Sequence, residues 1–80
     1  MLTMVRLVNI KMNEKVAEAD FVPEDSKAAG HIRVDLETGN IMDCVDVPGY
    51  GASYRAHARQ GLVRMAKERD SRTECLIMWY

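Results

Sequence analysis

The chain changes its hydrophobic period once, and that single change constrains the fold more than any other feature. Between residues 4 and 47 apolar side chains recur largely at every second position in short runs broken by turn residues, and from residue 52 they recur at helical spacing. A sheet built first and one helix laid across it is the architecture such an order dictates.

His31 to Glu37 carries the clearest alternation, with Ile32, Val34 and Leu36 on one face and His31, Arg33, Asp35 and Glu37 on the other. Glu37-Thr38-Gly39-Asn40 reads as a type I turn with glycine in the left-handed position, and Ile41 to Val47 as the partner strand. Upstream, Met4 to Met12 is rich in β-branched residues but alternates only in part. Asn13-Glu14 then turns the chain into Val16 to Val22, where Ala17, Ala19 and Phe21 oppose Glu18 and Asp20. Pro23 to Gly30 reads as a loop with at most one helical turn.

From Ala52 to Arg69 the residues Tyr54, Ala58, Gly61, Leu62 and Met65 fall within one helical arc, the face expected on the sheet. Ala56, Ala58, Gly61 and Ala66 are small enough to let helix and strands approach closely. Ser53, His57, Gln60, Arg64, Lys67 and Glu68 form the polar face. Glu74 to Tyr80 is a last strand, apolar on both faces. The expected fold is therefore one domain spanning residues 1–80, a two-layer α+β sandwich of order β-β-β-β-α-β with an antiparallel sheet. The last strand returns beside either the first or the fourth; because the helix reverses the chain once more after the fourth strand, lying beside the first is what keeps the sheet wholly antiparallel.

Eighty residues bury a modest core, and a domain of this size gains much from a second subunit. Cys44 and Cys75 sit in separate apolar runs outside any metal-ligand spacing, which predicts reduced thiols and no metal site. The first residues show no basic leader followed by an apolar stretch, and the expected location is the cytoplasm, without membrane attachment. A net charge of −1 provides no general attraction for nucleic acid. Acidic residues outnumber basic ones before Gly51 and the reverse holds after it, a division that predicts pairing between helix and sheet.

The candidate ligand site is the junction into the helix: Gly49, Tyr50, Gly51, Ser53, Tyr54, Arg55, His57 and Arg59. Two glycines around a tyrosine permit a tight bend, Ser53 is a candidate N-cap, and free amides at a helix start suit a small anion. Arg55 and Arg59 lie inside the apolar arc, where they serve either such a ligand or a sheet carboxylate, Asp35, Asp43 or Asp46. The segment has neither P-loop nor dinucleotide-binding spacing. His31 and His57 are expected to be simply solvated.

No Ser/His/Asp set, HExxH motif or Cys/His cluster is selected by spacing, so the chain is expected to be a binding module with no catalytic residues and no cofactor. The alternative is a nucleic-acid or phosphorylated-ligand module using the glycine-rich loop and the cations Arg55, Arg59, Arg64, Lys67, Arg69 and Arg72. These do not share one helix stripe, which disfavours nucleic acid. The last strand, lacking proline and any charge after Glu74, must be central, covered on both faces, or paired across a subunit boundary. Leu76, Met78, Trp79 and Tyr80 are accordingly the expected homodimer interface.

Overall fold

The computed structural model describes residues 3–79: β1 (Thr3–Met12), β2 (Val16–Pro23), β3 (Gly30–Asp35), β4 (Ile41–Val45), α1 (Ala52–Lys67) and β5 (Cys75–Trp79). All strand pairs are antiparallel in the order β4-β3-β2-β1-β5, and α1 covers one face, giving the two-layer α+β sandwich with β5 beside β1.

The first hairpin is closed by its own turn residue. The Asn13 side-chain oxygen accepts the N–H groups of Lys15 at 2.8 Å and Val16 at 2.9 Å, a local bond that competes with strand extension and stops it. The partial alternation of β1 has a definite cause. Val8 pairs with Asp20 and Lys11 with Glu18, so Asn9 and Ile10 together oppose Ala19 in a β-bulge, with Asn9 at φ 53°. The bulge shifts the parity, so that Val5, Leu7, Ile10 and Met12 all face the helix.

The strands around the second hairpin are shorter than expected. Asp35 accepts the Gly39 N–H on its carbonyl (2.7 Å) and the Glu37 N–H on its side chain (2.8 Å), so the turn begins two residues early and removes Leu36 and Glu37 from β3. Gly39 takes the left-handed conformation at φ 78°. β4 stops at Val45, because Val47-Pro48-Gly49-Tyr50 forms a turn with Gly49 at φ 87° and the Tyr50 N–H donating to the Val47 carbonyl at 3.2 Å. Proline at the second and glycine at the third position is type II chemistry.

Helix α1 ends at Lys67, two residues short of the periodic pattern. The Arg69 N–H donates to the Ala66 carbonyl at 3.2 Å and the Asp70 N–H to the Met65 carbonyl at 2.9 Å, a Schellman closure with Arg69 in the left-handed region at φ 54°. Ala58, Gly61, Leu62 and Met65 are the buried helix residues, and they meet Val5, Leu7, Phe21, Ile32 and Val34 from the sheet. The opposite sheet face is wet and charged: cross-strand register sets Lys11, Glu18, Arg33 and Asp43 side by side with alternating sign.

β5 is an edge strand, neither central nor covered on both faces. Cys75 and Ile77 enter the core, while Leu76 (51% exposed) and Met78 (55%) stand on the uncovered face. The Trp79 side chain and Tyr80 lie outside the described residues. Both cysteines are free thiols, and burial together with the neighbouring Asp46 carboxylate pushes the Cys44 thiol up to about 11.

Candidate functional site

The type II turn delivers the chain to α1 through Gly51, which caps the helix in extended conformation (φ −79°, ψ 174°) without any side-chain hydrogen bond. Ser53 is therefore not the N-cap. It falls inside the first helical turn and is exposed, because the Pro48-Gly49 turn already aims the chain and lets the helix begin at Ala52.

Tyr50 and Tyr54 come together on this turn with their rings edge to face, centroids 5.2 Å apart. Both hydroxyls converge on one residue of the β2–β3 loop. Tyr50 donates to the Glu24 carbonyl at 3.1 Å and Tyr54 to the Glu24 carboxylate at 2.7 Å, while the other carboxylate oxygen accepts the Met4 N–H at 2.9 Å. The negative charge beside the first helical turn is thus the protein's own. The bond to Tyr54, then that to Met4, holds the Glu24 carboxyl below its ordinary range, and the same carboxylate pushes the Tyr54 hydroxyl up to about 12.

The two arginines divide. Arg55 pairs with Asp46 at 3.0 Å, one of the three carboxylates the sequence offered. Arg59 donates to the Gly39 carbonyl at 3.1 Å, so it braces the β3–β4 turn against the helix and, among the described residues, pairs with no carboxylate. His57 is half-buried in a shallow recess shared with Gln60, Arg64 and Met78. Of the eight residues proposed at the junction, Tyr50, Tyr54, Arg55 and Arg59 are held by the sheet and its loops; Gly49, Gly51 and Ser53 are exposed.

Sequence reasoning missed two participants. Glu24 lies in a polar loop, and nothing local marks it as the partner of residues 26 and 30 positions away. His31 is not merely solvated: its Nδ1 lies 2.9 Å from Asp20 Oδ1 and its Nε2 3.5 Å from Glu18 Oε2, while Asn9 donates to Asp20 at 3.0 Å. The bonds from His31 and Asn9 hold the Asp20 carboxyl low. The signal was present, since period-two alternation sets Glu18 and Asp20 on the same face as His31 once the strands pair antiparallel. Among the described residues no group of three or more His, Cys, Asp or Glu side chains has metal-binding geometry.

No protein family, curated protein or solved structure matches the chain.

Asp20, Glu24 and Asp70 all have carboxyls held low by hydrogen bonds, Asp70 by those of Arg72. A carboxylate with a folded-state pKa below its unfolded value adds stability that is present above the unfolded value and lost as pH falls through the folded one. Denaturation midpoints should therefore fall below about pH 4. Glu24→Gln should make that decline shallower, and an unchanged slope would show that the Tyr54 bond does not couple to folding.

Proposed function

We propose that the domain is a self-associating interaction module, a binding protein and not a catalyst, which pairs with a second copy along the free edge of β5. One observation carries this reading: the sheet's two edges are protected unequally. At β4 the ladder is broken by a register shift at Met42, and Asp43 and Asp46 place charge on and beside the edge. At β5 the register with β1 runs unbroken from Leu7↔Cys75 to Thr3↔Trp79, and no charge, proline or bulge interrupts Cys75–Trp79. Natural edge strands of that kind are normally blunted or paired.

An antiparallel β5–β5 pair centred on Ile77 sets Leu76 opposite Met78 of the second copy. With Met4 beside Met78 and Arg6 beside Leu76 in each chain, it makes a short apolar stripe across the two-fold axis, ended by Arg6, on the face the helix leaves open. The stripe is rich in methionine, a side chain that repacks readily at adaptable contacts.

Sedimentation should give twice the chain mass, and melting temperature should rise with protein concentration. Met78→Lys, at a half-exposed position outside the core, should yield a folded monomer. A monomeric parent at about 0.5 mM, where even weak symmetric association is populated, would overturn the proposal.

A further inference from the structure

At the C-terminal end of α1 the two layers part. β1 continues to Met12, but the β5 ladder accompanies it only as far as Leu7; the segment before β5 then holds Ile10 through a bond from its N–H to the Thr73 carbonyl at 3.0 Å, and Met12 has no strand beside it on that flank. The result is an open groove of about 840 Å³, floored by Ile10, Met12, Leu36 and Val63 and rimmed on the helix side by Lys67 and Arg69. That volume lies in the range of small-molecule sites.

We propose that this groove binds a small amphipathic monoanion, a carboxylate on an unbranched alkyl chain, with Arg69 and Lys67 taking the head group. The floor suits a flexible chain, because it is aliphatic and thioether with no aromatic ring on which a planar ligand would stack. The rim sets the charge. Asp70 is occupied by Arg72 through a close ion pair, and Glu14 offsets part of what remains, leaving a small positive excess that suits one negative charge better than two. Among the described residues neither the Lys67 ammonium nor the Arg69 guanidinium makes an ion pair. The Schellman bonds engage the carbonyls of Met65 and Ala66, which lessens the negative end of the helix that an anion would otherwise meet.

A second, independent observation selects Arg69. It occupies the left-handed position after the helix, at φ 54°, where glycine is the residue of least cost. The other non-glycine residues at positive φ are Asn9 and Asp25, of types that tolerate it. A strained backbone position carrying an arginine that lines the groove, with no ion pair among the described residues, points to a use for the guanidinium there.

The probe is octanoate, titrated by NMR into the full chain, with octan-1-ol and acetate as controls. Octanoate should shift the amides of Ile10, Val63 and Arg69, and both controls should bind at least roughly fivefold more weakly. Arg69→Gly should weaken octanoate by roughly 5- to 20-fold while raising the melting temperature by roughly 3 to 6 °C. Arg69→Asn, which accepts the same backbone conformation, should lose the affinity as well. Undiminished octanoate binding by either variant, equal binding of octan-1-ol, or a lowered melting temperature in Arg69→Gly would each overturn the proposal.

Discussion

Gly30→Ala is expected to remove about 2 to 4 kcal/mol of stability, a large part of the roughly 4 to 12 kcal/mol available to a domain of this length. Gly30 opens β3 opposite Phe21 of β2 and is buried. A methyl group there would stand 2.5 Å from the Phe21 ring tip and 2.5 Å from the Val45 carbonyl oxygen. The ring could tilt, but the carbonyl belongs to the backbone of β4, an edge strand held to the sheet only through β3. Relief therefore requires peeling β4 or displacing the largest fully buried side chain of the core. Urea denaturation should show a lower midpoint at unchanged slope. Combining Gly30→Ala with Phe21→Leu should recover part of the loss, because only one of the two collisions is removed. A loss below about 0.5 kcal/mol would mean that β3 and β4 separate more easily than this packing implies.

Gly30 also shows where legibility in the sequence ends. The alternation of Ile32, Val34 and Leu36 placed β3 and its buried face, because a period of two has one meaning when a turn follows. Counting chain reversals favoured β5 beside β1 over β4, and the sheet order has it there. The bulge at Asn9 was invisible as such: a one-residue parity shift looks like weak alternation until Ala19 is seen opposite both Asn9 and Ile10. Leu36 continued the pattern yet left the strand, because the Asp35 carboxylate and carbonyl capture the turn amides first. At the helix junction the sequence named Tyr50, Tyr54, Arg55 and Arg59, and Asp46 among three carboxylates for Arg55, but not what the other three meet. Glu24 and the Gly39 carbonyl are long-range partners, supplied by the fold rather than by spacing.

Leu62→Ala should cost about 2 to 5 kcal/mol, and it tests the face of α1 that the sheet receives. Leu62 is fully buried and, with Ala58 and Met65, forms the helix side of the core, whereas Gln60 on the polar face is exposed. Gln60→Ala should therefore stay within about 0.5 kcal/mol of the parent. Gly61, between them, separates helix propensity from volume. A Cβ there would lie 2.6 Å from the Ile77 Cδ1 atom and 3.5 Å from the Leu7 Cδ1 atom, so the absent side chain is what lets α1 sit close over β1 and β5. Because the collision is with the Ile77 side chain alone, its Cδ1 end and the Cγ1 behind it at 3.1 Å, and Ile77 lies on an edge strand, Gly61→Ala should come out nearly neutral, with a gain of about 1 kcal/mol in propensity offsetting the shift of that side chain. Gly61→Leu has no such escape. It must lift the helix from β5 and should cost about 3 kcal/mol or more. Near-equal denaturation midpoints for Gly61→Leu and the parent would place the helix further from the sheet than Leu62 and Ile77 require, and with it would go the close contact between the layers.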